Sequence, residues 1–173
     1  LPDYSAPNPL SLQEAKEYLA TAIDYIVTAK YDSAVALLRQ AEPVLKASQD
    51  WESYVQCLYK HADALWKSAK VDEAIPVIAI AMKVALKKLG RQHPFTANCY
   101  NIRGVCSYVL GDMSTAMFWF RKTLKLRLAI LGNQHPDTAH SYANIGNCLK
   151  SLGQLKKAER FARQALILTI HAK

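Results

Sequence analysis

The stretch Leu89-Gly90-Arg91-Gln92-His93-Pro94-Phe95-Thr96-Ala97 returns 42 residues later as Leu131-Gly132-Asn133-Gln134-His135-Pro136-Asp137-Thr138-Ala139, with seven of nine positions identical. A repeat of this length leaves few folds open. Each unit must be one supersecondary element that buries its apolar face against its neighbours. The register holds downstream: Gly104 aligns with Gly146, Cys106 with Cys148, Gly111 with Gly153 and Ala116 with Ala158. Counting 42 back from Gly104 gives Ala62, followed by Ala69 and Ala74, and a further 40 back gives Ala22, Ala29 and Ala34. Four units emerge, each a pair of helices.

The small residues have a physical purpose. The first helix of a unit carries Gly or Ala where the second crosses it, and the second answers with Ala34, Ala74, Ala116 or Ala158. Side chains bigger than methyl would push the pair apart. Gly111 and Gly153 suit the turn after the first helix, where a left-handed residue ends it at little cost. Pro94 and Pro136 suit a first helical position, and Asp137 complements the dipole of the helix it opens. Asp32, Asp72 and Asp112 read as N-caps. The helices expected are 11–29, 32–47, 51–68, 72–89, 94–110, 114–131, 136–152 and 155–171. Pro43 should kink or shorten its helix, and Pro76 should fall in a better tolerated first turn. The fold class is all-α, with 1–10 an extended Pro-bearing lead-in and 11–173 a single domain of repeats at about 11–48, 51–90, 93–132 and 135–172.

Composition excludes several classes. At 173 residues and 51% hydrophobic content, the chain can build a core and is not a disordered segment. No apolar run approaches the ~20 residues of a membrane span. The chain opens at Leu1 with neither methionine nor a basic-then-apolar leader, which reads as a processed or excised form. Cys57, Cys99, Cys106 and Cys148 make no C-x-x-C pair. They read as buried free thiols of a reducing, cytoplasmic compartment. Charge is uneven: residues 1–70 hold 7 basic against 9 acidic side chains, net −2, and residues 71–173 hold 15 against 5, net +10.

The two L-G-x-Q-H-P-x-T-A blocks, with Ser141-Tyr142-Ala143-Asn144-Ile145-Gly146-Asn147-Cys148-Leu149, resemble tetratricopeptide repeats of the 42-residue kind found in kinesin light chains and in bacterial arrays. The resemblance spans roughly residues 12–171 and is weakest in the first repeat, which lacks the L-G-x-x-H-P start. Arg103 stands where the family is usually apolar. The resemblance implies a right-handed superhelix, an α-solenoid of four antiparallel helical hairpins. It also implies a concave groove, lined by the first helices, that holds a peptide or protein segment. Family groove positions fall on Gln56, Tyr59, Asp63 and Trp66, then on Asn98, Asn101, Val105 and Tyr108, and then on His140, Ala143, Asn147 and Lys150. Those of the first repeat are Lys16, Leu19, Ile23 and Ile26, whose three apolar members read as packing rather than ligand contacts. Asn98, Asn101 and Asn147 could bond the backbone of an extended segment. Tyr59, Trp66 and Tyr108 could anchor it, and His140 and Lys150 could receive an acidic group.

The partner expected is therefore another protein, presenting an extended or helical segment. The chain carries no sequence motif for a catalytic, metal or cofactor site. His93 and His135 read as helix-start residues. Cys57 and His61 lie one helical turn apart, but the repeat register of the cysteines argues for packing. A basic second half, including Arg121, Lys122, Lys125, Arg127, Arg160 and Arg163, raises nucleic acid as an alternative. It is disfavoured because those residues fall on second helices, away from the groove. A spacer or regulatory arm of a larger protein is the other alternative. Its motive is the last helix, where Phe161, Ala165, Leu166, Leu168 and Ile170 have no later helix to cover them. That face suggests further chain or self-association. Phe118 and Trp119 form a second apolar patch.

Overall fold

The structure, a computed structural model, describes residues 10–171, so all of the expected lead-in but Leu10 lies outside the described residues. Eight helices fill this span: α1 (Leu12–Val27), α2 (Tyr31–Ala47), α3 (Trp51–Lys67), α4 (Val71–Lys88), α5 (Pro94–Val109), α6 (Met113–Leu131), α7 (Pro136–Ser151) and α8 (Leu155–His171). They pair as the hairpins α1–α2, α3–α4, α5–α6 and α7–α8, and each hairpin packs on the next. First helices also approach one another, α1 with α3 and α3 with α5, whereas no two second helices pack to that extent. A stack that is closer on one side curves toward that side. The first helices thus line the inside of the right-handed superhelix.

The first helices end alike, and the sequence says why. The N–H of Lys30, Lys70, Asp112 and Gln154 reaches the carbonyl five residues back, at Tyr25, Leu65, Ser107 and Leu149. This closing bond needs a left-handed residue just before it. Gly111 and Gly153 supply it at φ +80° and +70°, and Ala29 and Ala69 adopt it at +59° and +62°. The repeated block sets the starts of α5 and α7. Gly90 and Gly132 turn the chain at φ +93° and +81°. His93 and His135 then accept, through Nδ1, the N–H of Phe95 and Asp137 at 3.1 Å. The hydroxyls of Thr96 and Thr138 donate to the Gly90 and Gly132 carbonyls at 2.8 Å.

Some local expectations need correction. Asp112 caps α6, accepting from Thr115 N–H at 3.0 Å. Asp32 and Asp72 do not cap: α2 and α4 start one residue earlier than expected, after Lys30 and Lys70, and both carboxylates sit in the first turn. Asp50 caps α3 and Ser11 caps α1. Pro43 does not shorten α2, which runs on to Ala47, and Pro76 lies beyond the first turn of α4. Both prolines are on exposed faces, where water can bond the carbonyls their missing N–H groups leave free. On α8, Ala165 and Leu168 are buried within the last hairpin; of the expected apolar set Leu166 and Ile170 stay exposed, at 60% and 62%, and Leu155 and Ile167 are exposed on the same helix.

The core lies along the hairpin crossings. Ala22, Ala34, Ala62, Ala74 and Ala116 are fully buried. At Gly104 the approach is closer than an alanine allows: a Cβ there would sit 2.7 Å from the ring of Phe120, itself buried at 2% exposure. At Gly146 a Cβ would meet its nearest neighbours at 3.5 Å, which is ordinary contact. Two substitutions of identical chemistry should therefore part. Gly104→Ala is expected to destabilise by about 1–3 kcal/mol through overpacking. Gly146→Ala should be neutral or gain up to about 1 kcal/mol from helix propensity. Urea unfolding of both variants checks this, and equal losses would contradict it.

Candidate functional site

Between α3, α5 and α7 a cleft of about 400 Å³ opens on the concave side. Its walls gather six of the ten expected groove residues: Asp63 and Trp66 from α3, Asn101 and Tyr108 from α5, His140 and Asn147 from α7. The curvature brings them together, because each is on the inward stripe of a first helix. Val105 and Ile102 supply apolar wall, and Phe120 reaches through from α6 beside the small Gly104.

The polar groups are already partly engaged. Asp63 accepts from Trp66 Nε1 at 2.9 Å and from Lys67 Nζ at 3.0 Å. That fixes the indole and neutralises the carboxylate. Asn144 Nδ2 donates to Asn101 Oδ1 at 2.9 Å, which leaves the Asn101 amide group to donate and the Asn144 carbonyl to accept. Tyr108 Oη and Ser151 Oγ lie 3.0 Å apart. His140 and Asn147 are exposed. The site is thus a trough with an indole, a phenol and three amides along it and little net charge.

The other four expected residues stand apart from this cleft. Gln56 is half-buried earlier on α3, and Lys150 is exposed near the end of α7. Tyr59 is 7% exposed and packs on Phe95, with ring centroids 5.4 Å apart. Burial pushes its phenol up to about 12, against a hydrogen bond with Asn98 that pulls the other way. Asn98 Oδ1 accepts Arg127 Nη2 at 2.9 Å. In the first repeat Leu19 and Ile26 are buried in the core, and Lys16 pairs with Asp50 at 2.7 Å, so α1 adds nothing to the cleft.

Arg127 itself departs from expectation. It is not a convex surface charge but is 5% exposed. Its Nη1 donates to the Asp137 carbonyl at 2.8 Å and to Ser141 Oγ at 3.0 Å. With Asn98 this ties α5, α6 and α7 together behind the cleft. The repeat could not announce it, because 42 residues earlier stands Ala85. Asn144 was missed for a different reason. Asn101 and Asn144, like Tyr108 and Ser151, are 43 residues apart. The superhelical offset pairs side chains one place out of the sequence register. Arg127→Ala is expected to cost about 3 kcal/mol, because it strands acceptors on both α5 and α7. A change under about 0.5 kcal/mol in chemical denaturation, the size of an ordinary surface substitution, would contradict the clamp.

The thiols are structural. All four cysteines are free and buried. Burial pushes Cys57 and Cys99 up to about 12, and Cys57 Sγ donates to the Leu38 carbonyl at 3.5 Å. A thiol so placed is not a nucleophile. Because the folded values lie above the unfolded one, their contribution to stability is complete below the unfolded pKa and is lost as pH rises toward about 12. The urea midpoint should therefore fall between about pH 8 and about pH 11, and native thiols should resist alkylation at the lower value. Rapid native alkylation would contradict the burial.

Residues 104–167 match the tetratricopeptide repeat family. No curated protein matches the sequence. Solved structures with the same fold include BtubC of P. vanneervenii, at 20% identity and TM-score 0.76, covering 91% of this chain and 64% of that one. A kinesin light chain-like repeat protein of Podosopora anserina aligns at 16% identity and TM-score 0.75, covering 94% and 78%. A Rap protein in complex with competence and sporulation factor aligns at 16% identity and TM-score 0.82, covering 92% of this chain but 43% of its own. This chain thus spans less than two thirds of the first and third of these proteins. The chain carries tetratricopeptide repeats: the family match runs from the middle of α5 to near the end of α8, and the two hairpins before it repeat the same geometry.

Proposed function

We propose that this protein is an interaction module that holds a segment of another protein in the concave cleft between α3, α5 and α7. The observation that carries the reading is the convergence of Trp66, Tyr108, Asn101 and Asn147 from three successive hairpins on one trough. Its length and amide lining suit an extended backbone, its aromatic walls suit one or two anchoring side chains, and its near-neutral charge suits selection by shape. The Rap neighbour was solved with competence and sporulation factor bound, a precedent for ligand binding on this fold. A cytoplasmic setting fits the reduced thiols. Among the described residues no helix is long and apolar enough to cross a membrane. A role as the arm of a larger assembly is compatible with the same site.

The test is peptide display against the folded protein, followed by titration of the selected peptides into an Asn101→Ala, Asn147→Ala double variant. Loss of two backbone-directed bonds should weaken binding roughly tenfold or more while the unfolding midpoint stays near that of the parent. Unchanged affinity, or no selected peptide, would overturn the groove reading.

A further inference from the structure

The outer face carries a second hollow, which the groove reading does not use. It lies between the end of α4, the turn before α5, and α6, and has a volume of about 370 Å³. Leu86, Leu126 and Ala129 line it with aliphatic surface, and Arg91, Lys122 and Lys125 stand around it. No carboxylate lines it. Lys83, Lys87 and Lys88 on α4 and Arg121 on α6 extend the positive surface along the same second helices.

One of the cations is held in place. Lys122 Nζ lies 4.8 Å from the Tyr100 ring centroid, 5.2 Å from that of Trp119 and 5.6 Å from that of Phe118. The rings pack on one another, Tyr100 tilted against Trp119 at 5.4 Å and Trp119 edge-to-face with Phe118 at 4.9 Å. Ring faces attract an ammonium but cannot neutralise it. Lys122 therefore stands beside the hollow against three rings, with its side chain already ordered. Of the aromatic pair expected on this face, Phe118 is 57% exposed and Trp119 half-buried.

We propose that this hollow is a second docking site for an acidic protein segment that inserts one aliphatic side chain, leucine-sized, between Leu86 and Leu126 while its carboxylates meet Arg91, Lys122 and Lys125. Charge complementarity selects the occupant, since three cations around an aliphatic floor want an anion and an apolar group together. Nucleic acid would meet the charge but not the floor. Single strands bind basic surfaces by stacking bases on open ring faces; the one ring lining the hollow, Tyr100, is 5% exposed and covered by Trp119, and the exposed Phe118 lies outside it.

The test uses a short fluorescein-labelled peptide of alternating glutamate and serine with one central leucine, titrated into the whole chain and followed by anisotropy. Binding is expected to weaken about tenfold or more in a Lys122→Glu, Lys125→Glu variant, and to weaken similarly when the peptide's leucine is serine. Ala129→Trp, which fills the hollow without touching a charge, should also weaken it. The Asn101→Ala, Asn147→Ala groove variant should bind this peptide like the parent, so failure of this site and failure of the groove are separable. Thermal melts establish that each variant is folded. No measurable binding, equal binding of the leucine and serine peptides, or indifference to the charge reversal would overturn the proposal. So would tighter binding of single-stranded oligothymidylate that is lost in the same charge-reversal variant, which would make this a nucleic-acid surface.

Discussion

Every other feature of the molecule depends on how closely the two helices of a hairpin can cross. Ala22, Ala62, Gly104 and Gly146 on the first helices and Ala34, Ala74, Ala116 and Ala158 on the second are the small buried residues of the hairpins, with Gly146 against Ala158 and Gly104 against the ring of Phe120. The distance between helices at those points sets the thickness of a hairpin, and the thickness sets how the next hairpin leans. In a stack where each unit touches only its neighbours, such local settings accumulate into the curve of the whole. The cleft on the inner face is thus a product of methyl-sized and smaller side chains that never touch it. Phe120 shows the link most directly. Its ring occupies the space beside Gly104 and also forms part of the cleft wall.

The interior changes character along the chain. The first two hairpins and the start of the third share one aliphatic core, from Ala15 to Cys106. The last two enclose a smaller cluster around Phe120, Ile145 and Leu149. Near where the two meet, Arg127 takes over with bonds to Asn98, Asp137 and Ser141. A buried guanidinium is a poor source of net stability, because desolvation offsets most of what its bonds return. It is nonetheless directional where aliphatic contacts are not. Placed behind the cleft, it holds α5 and α7 in one relative position, and that position decides whether Asn101 and Asn144 can meet.

Local chemistry was legible from the sequence wherever it repeats. The helix limits fall within two residues of those read from small residues, prolines and glycines, and the H-P-x-T starts behave alike in α5 and α7. Legibility failed where a residue acts once or acts out of register. Asp32 and Asp72 look like caps, yet one residue of helix shift puts them in the first turn. Arg127 has no counterpart at Ala85, so periodicity was silent about it. The 43-residue pairs across the cleft follow from superhelical twist, a global quantity that no local window contains. Six of the ten family groove positions converge on the cleft, while Tyr59 and Asn98 are committed to a neighbouring ring and to Arg127. A stripe on a helix says which side faces inward, but not which inward side chains a neighbour has already taken.

Charge divides the two faces in a way that bears on how a partner would arrive. Within the cleft, Asp63 is matched by Lys67 at 3.0 Å, so the trough itself projects little field. The excess of ten positive charges over residues 71–173 sits mainly on the second helices. Long-range attraction governs encounter rates, and desolvated close contacts govern residence. In this molecule the two are on opposite sides of the same hairpins. An acidic partner would be drawn first to the outer face and would reach the inner trough only around its edge. A partner chosen by the trough for its shape gains nothing from that field. The arrangement therefore favours two classes of contact with different salt dependence, because screening weakens the first and leaves the second nearly untouched.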